Sequence, residues 1–145
     1  MIPIPWLAAV VEDCSSTGAY AMFSNQLSAI LGLPEFPIMA CVDVVSGINT
    51  GTKITDAAPL KAVPRIKVPV LFIHGAADTL VPPVMMGELF AVCKVKKEKL
   101  IIEEAGHGDA MVTDREKYWD WVLIFYHDAH CRTALIRVRL SVLAT

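Results

Sequence analysis

Charge is scarce in this sequence. Only 19% of its 145 residues are Asp, Glu, Lys or Arg, and the formal balance is −2. Holding a nucleic-acid backbone takes a basic face, so nucleic acid is not an expected partner. Lys94, Lys96, Lys97 and Lys99 cluster, but Glu98 interrupts them, and they read as a solvated connection ahead of a strand. Paired cysteines are missing as well. Cys14, Cys41, Cys93 and Cys131 form no C-x-x-C and have no metal-ligand spacing with the histidines, so neither a metal site nor a disulfide framework is expected. They read as reduced thiols, mostly core filler, of a cytoplasmic protein; a membrane-anchored or secreted parent is the alternative. The opening "MIPIPWLAAVV" has no basic stretch, is broken by Pro3 and Pro5 and is too short to span a bilayer. No targeting or membrane segment is expected in this chain, and no organic cofactor is indicated.

Apolar residues are abundant instead, at 54%, with a mean hydropathy of +0.50. A chain of this length forms one domain that buries roughly 68–70% of its unfolded surface. So much apolar surface implies helices on both faces of a sheet, or a surface awaiting a partner. Leu7 to Val11 form a compact apolar run closed by Glu12 and Asp13, the pattern of a buried strand. Met22, Phe23, Leu27 and Ile30 recur at helical spacing before Gly32 and Pro34, and "PEFPIMACVDVVSG" reads as a short second helix ending near Gly47. A turn-rich approach leads to Val70-Leu71-Phe72-Ile73, a run apolar on both faces, as in a parallel strand covered from both sides. Pro82-Pro83 open a helix with Met86, Leu89, Phe90 and Cys93 as its buried stripe. Lys99 to Glu103 give another strand. Asp114 caps a last helix whose Tyr118, Trp119, Val122, Leu123 and Phe125 are expected to face the core. Trp119 and Trp121 read as core or groove residues. The resulting order, strand, two helices, strand, helix, strand, helix, predicts an α/β fold with a parallel sheet. The tail from 127 to 145 fits poorly: Ile136, Val138, Leu140 and Val142 alternate with polar residues like an edge strand.

Chemistry concentrates at two strand ends. His74-Gly75 break the central apolar run, placing Asp78 just past its carboxyl end, and "EAGHGDA" places His107 just past the next strand. Parallel neighbours open on the same rim, where ligands gather in such sheets. A carboxylate there accepts a hydrogen bond from one imidazole nitrogen and supports the imidazolium formed when the other takes a proton. Gly106 and Gly108 allow a tight turn around the ring. The plainer alternatives are a turn-stabilising Asp78 and a simple loop histidine. His74 reads as a structural hydrogen-bond donor.

"VPVLFIHGAADTLVPP", "EEAGHGDAM" and an aromatic final helix together resemble the carboxyl-terminal half of α/β-hydrolase-fold serine hydrolases. "AAVVEDCSSTGAYAMFSNQL" and "LGLPEFPI" resemble the strand and lid that precede the acid in members related to serine aminopeptidases and carboxylesterases. The likeness runs from about Val10 to about Tyr126. It implies a single partial α/β-hydrolase domain over 1–145. Three or so parallel strands would carry flanking helices, with lid-like helices over about 15–50 and the acid and histidine strands with the final helix over about 66–126. By the same resemblance Asp78 is the triad acid and His107 the triad base.

The departure is the nucleophile. Family members carry it earlier, in a G-x-S-x-G elbow, and no such motif occurs in these 145 residues. Ser15, Ser16 and Ser46 lack the flanking glycines. Cys14 lies near the rim, but the acids beside it oppose the lowered pKa that a reactive thiol needs. Asp13 is an alternative acid one strand earlier. The expected function is therefore the carboxyl-terminal part of a serine-type hydrolase of esters or peptides, supplying acid and histidine and inactive alone. The alternatives are one half of a split enzyme, completed by a separate amino-terminal half, and a non-catalytic binding or dimerisation module that uses the first strand as an open edge. Phe23, Leu27, Phe36, Ile38 and Met39 suggest an apolar pocket wall, and would serve equally as ordinary lid packing.

Overall fold

The computed structural model describes residues 7–142, without the side chains from 132 onward. Three strands form one parallel sheet in the order β1-β2-β3: β1 Val10–Asp13, β2 Val70–Gly75 and β3 Lys97–Ile102. Val10 lies opposite Val70, and Val70 opposite Lys97. Among the described residues six α-helices accompany them: α1 Ala19–Leu31, α2 Glu35–Thr50, α3 Pro59–Ala62, α4 Pro83–Val92, α5 Ala110–Thr113 and α6 Arg115–Val142. This is the α/β arrangement expected from the sequence.

Every residue of β2 is buried, and its alternating side chains serve two separate cores, as the two-unit period of a strand requires. Leu71 and Ile73 pack on one face with Leu100, Ile102, Tyr118 and Phe125, under α6. Val70 and Phe72 pack on the other with Val63, Met86, Leu89 and Cys93, under α4. The unbroken apolar run is thus the signature of a strand covered on both sides.

Several boundaries differ from the sequence-based expectation. The first strand begins at Val10 rather than Leu7, because pairing starts where Val10 N–H donates to Pro69 C=O at 2.9 Å; Glu12 and Asp13 therefore belong to the strand. Helix α2 passes Gly47 and stops at Gly51, which takes the left-handed conformation (φ 73°) suited to glycine at a helix end. Lys97 and Lys99 lie within β3 rather than in a solvated connection. Lys97 Nζ donates to Phe90 C=O and Cys93 C=O, closing the carboxyl end of α4. The tail is helix rather than edge strand: no glycine or proline interrupts 115–142, so nothing stops α6 from propagating. Residues 143–145 of that tail, and the Met1–Trp6 part of the opening run, lie outside the described residues. Among the described side chains of α6, Tyr118, Val122 and Phe125 pack on the sheet side and Ala129 is buried. Trp119, Trp121 and Leu123 point off that face and are exposed. Of the four cysteines, Cys14 and Cys93 are buried, whereas Cys41 and Cys131 are exposed, so only two fill the core. Among the described residues no helix is long and apolar enough to cross a membrane.

Candidate active site

The carboxyl ends of β2 and β3 lie side by side, with Gly75 opposite Ile102 in register. The turn after β2 then docks on the turn after β3. Ala76 N–H donates to Ile102 C=O at 2.9 Å and Ala77 N–H to Ala105 C=O at 3.0 Å. A glycine makes this possible: a Cβ on Gly75 would stand 2.2 Å from Ala105 O and 2.6 Å from Gly106 O, inside any tolerable contact. Gly108 supplies the left-handed residue (φ 71°) of the second turn.

On this platform His107 Nδ1 lies 2.9 Å from Asp78 Oδ2. The carboxylate is buried and saturated. Its Oδ1 accepts the backbone N–H of Leu80 at 2.9 Å and of Val81 at 2.8 Å, a turn stabilised by the Asp78 side chain. Turn-making and imidazole-binding are here two uses of one side chain. With Oδ2 as the acceptor, this contact takes the Nδ1–H tautomer of His107, which has no proton on Nε2. The side chain of His107 is 39% exposed while that of Asp78 is 0% exposed, so the ring can be approached from solvent while its orienting acid cannot.

His74 lies beneath the pair and is wholly buried. Its Nε2 donates to Val81 C=O at 2.9 Å and stands 3.4 Å from Asp78 Oδ2. It is thus a structural donor that staples the two ends of the Asp78 turn. Its Nδ1, and Oε2 of Glu12, have no hydrogen-bond partner among the described residues. Burial pushes the Glu12 carboxyl above its ordinary pKa, against the lowering effects of a Ser15 hydrogen bond and the nearby His74.

The remaining candidates have other partners. Asp13 accepts the Tyr118 hydroxyl at 3.0 Å and thereby anchors α6 to β1. Cys14 Sγ accepts Gly108 N–H at 3.3 Å, so the thiol does sit at the rim. Burial, reinforced by Asp13, pushes it up to about 11, the opposite of what a nucleophilic thiol needs. Cys14, His74 and Asp78 each bring one possible ligand atom within 4.8 Å of the others. Cys14 Sγ, His74 Nε2 and the Asp78 oxygens also take part in the Gly108, Val81, Leu80 and His107 hydrogen bonds just described.

Sequence reasoning missed Gln26. Its side-chain amide donates from α1 to Thr79 C=O at 3.3 Å and to Leu80 C=O at 2.5 Å, tying the helical layer to the Asp78 turn. A polar residue on an otherwise apolar helical stripe was its one sequence signal.

A family model described as "Serine hydrolase (FSH1)" matches residues 15–108, a span that includes Asp78 and His107. The uncharacterized protein YqkD of Bacillus subtilis (strain 168) is 27% identical over 112 residues, which cover 74% of this chain and 35% of YqkD. The chain therefore spans about a third of that relative's length. An esterase of Pyrococcus furiosus superposes with a TM-score of 0.60 at 19% identity, covering 86% of this chain and 46% of the esterase. Acetyl xylan esterase 1 from Thermoanaerobacterium sp. JW/SL YS485 gives 0.57 at 16% identity, covering 83% and 38%. These likenesses show part of an α/β-hydrolase fold.

Proposed function

Since the chain belongs to the FSH1 serine hydrolase family, we propose that Asp78 and His107 are the acid and the base of a serine-hydrolase triad acting on esters or peptides. The observation that carries this reading is the 2.9 Å contact from His107 Nδ1 to a buried carboxylate. In such a triad His107 Nε2 takes the proton of a serine hydroxyl as it attacks the scissile carbonyl, and then delivers it to the leaving group. Asp78 holds the tautomer and supports the transient imidazolium. The two backbone N–H groups on Oδ1 keep that carboxylate from turning away.

These 145 residues contain no G-x-S-x-G, and the nucleophile of the proposed triad is expected in a segment that carries that elbow. Alone, the chain is expected to leave fluorophosphonate probes unreacted. Joined to a segment bearing the elbow, it is expected to give labelling, and His107→Ala or Asp78→Asn then lowers turnover by about 10⁴ or more. Wild-type turnover in either variant would reject the assignment. The outer edge of β1 favours a second reading. Among the described residues β1 pairs only with β2 and Val11 is 41% exposed, so a non-catalytic module that dimerises through this edge is the competing proposal. Light scattering separates the two: a stable dimer that remains inert beside the elbow segment favours the second.

A further inference from the structure

We propose that Cys14, His74 and Asp78 bind a borderline-soft divalent cation of the Zn²⁺ class, and that the bound ion draws Asp78 away from His107. The inhibitory effect rests on the triad reading above; the binding itself does not. Linear spacing hides this site, because the ends of β1 and β2 and the Asp78 turn bring the three residues together. One ligand atom of each lies within 4.8 Å of the other two, and all three residues are buried. His74 Nε2 and Asp78 Oδ2 stand 3.4 Å apart. Two ligand atoms on a tetrahedral zinc are about 3.3–3.6 Å apart, so closing the cluster takes a movement on the order of 1 Å.

The donor set selects the ion. Thiolate and imidazole suit zinc, whereas magnesium and calcium take oxygen ligands. A doubly charged cation held by one thiolate and one carboxylate forms a neutral centre, which suits a buried place. Binding releases the Cys14 thiol proton to solvent, since a coordinating thiol is deprotonated outright. Gly108 N–H, 3.3 Å from Sγ, is an outer donor of the kind that steadies a bound thiolate. Leu80 and Val81 N–H hold Oδ1 of Asp78, so Oδ2 is the oxygen for which His107 and an ion compete.

Two orphaned atoms point to the same ligand independently. His74 Nδ1 and Glu12 Oε2 are buried with no hydrogen-bond partner among the described residues. The two side chains are near enough for His74 to lower the Glu12 pKa. Ligation at His74 Nε2 forfeits the bond to Val81 C=O and moves the imidazole proton to Nδ1, where the Glu12 carboxylate is the acceptor at hand. Carboxylate, histidine and zinc in that order are a recurrent arrangement. The ion thus gives both orphans a partner.

The test titrates Co²⁺, a spectroscopic stand-in for Zn²⁺, into the 145-residue chain. One equivalent is expected to produce a thiolate-to-cobalt charge-transfer band and the d–d bands of a tetrahedral site, and Zn²⁺ should bleach both. Cys131→Ser keeps them, which separates this site from the exposed Cys131 and His127 contact on α6. Cys14→Ser abolishes the charge-transfer band. Glu12→Gln keeps all three ligands and the fold, and is expected to weaken binding by about tenfold or more. In ¹H–¹⁵N spectra Zn²⁺ removes the downfield Nδ1 proton signal of His107. No band, a band that Cys131→Ser abolishes, or affinity unaltered by Cys14→Ser and Glu12→Gln would overturn the site. A bound ion that leaves the His107 signal in place would overturn its action on the pair. Joined to an elbow-bearing segment, the wild-type chain should lose turnover to Zn²⁺ far more steeply than Cys14→Ser does. Metal bands beside an enzyme that is inert without metal mark failure of the triad reading alone. An active enzyme without the bands marks failure of the metal site alone.

Discussion

The sheet and the α1–α2 layer are packed to very different degrees. Six successive residues of β2 are buried between two cores, and Leu71, Phe72 and Ile73 have no exposed surface at all. In α1 no residue is buried, and in α2 only Met39 is. Both regions are rich in apolar residues, so composition does not separate them; what differs is whether each apolar side chain has a second layer to meet. The sheet has α4 on one face and α6 on the other. The helical layer has the Asp78 turn beneath it, held through Gln26, and little above. The well-packed part holds the Asp78 and His107 pair, and the open part presents apolar surface.

The contrast predicts an ordered series of stability effects. Phe72→Ala is expected to destabilise by about 3–5 kcal/mol, whereas Phe36→Ala, at a residue 79% exposed, should fall within about 0.5 kcal/mol of wild type. Urea unfolding measures both, and equal costs would erase the distinction. Gly75→Ala is next. Its Cβ drives the turns after β2 and β3 apart, costing about 3 kcal/mol and lengthening the contact from Asp78 to His107. A crystal structure of the variant with that contact intact would refute the role assigned to Gly75.

Glu12→Gln is smaller and of opposite sign. The folded pKa of Glu12 is raised above its ordinary value of 4.5, so the fold binds the proton more tightly than the unfolded chain does. The stabilisation is therefore fully present below about pH 4.5 and is lost as pH rises through the folded pKa. Above that window an ionised, half-buried carboxylate with an unpartnered Oε2 burdens the fold. The uncharged glutamine should gain on the order of 1 kcal/mol at neutral pH and nothing at pH 4. Melting curves at the two pH values check this, and an advantage that grows on acidification would be the wrong sign.

Much of the sheet was legible because its signals are local. The run Val70 to Ile73 is apolar at every position, and Gly75 and Gly106 to Gly108 mark the turns that follow β2 and β3. The Asp78 and His107 pair followed from topology, since two parallel neighbours must open on one rim. Features set by distant partners were not legible. The start of β1 depends on Pro69, some sixty positions away, and the need for glycine at 75 comes from the carbonyls of Ala105 and Gly106. Trp119 and Leu123 share the helical spacing of Tyr118 and Phe125, and only the width of the sheet beneath decides which are covered. The alternation of Ile136, Val138 and Leu140 imitated a strand, while the absence of any helix breaker from Arg115 to Val142 governed the outcome.

The His107 tautomer decides whether Asp78 and His107 can work as acid and base. Long-range ¹H–¹⁵N correlation spectra of the isolated chain at neutral pH report it directly, through the distinct shifts of protonated and bare ring nitrogens. A protonated Nδ1 and a bare Nε2 are expected for His107, with the Nδ1 proton shifted far downfield by Asp78 and lost from that position in Asp78→Asn. An Nε2-protonated His107 whose spectrum is the same in wild type and Asp78→Asn would contradict the central claim.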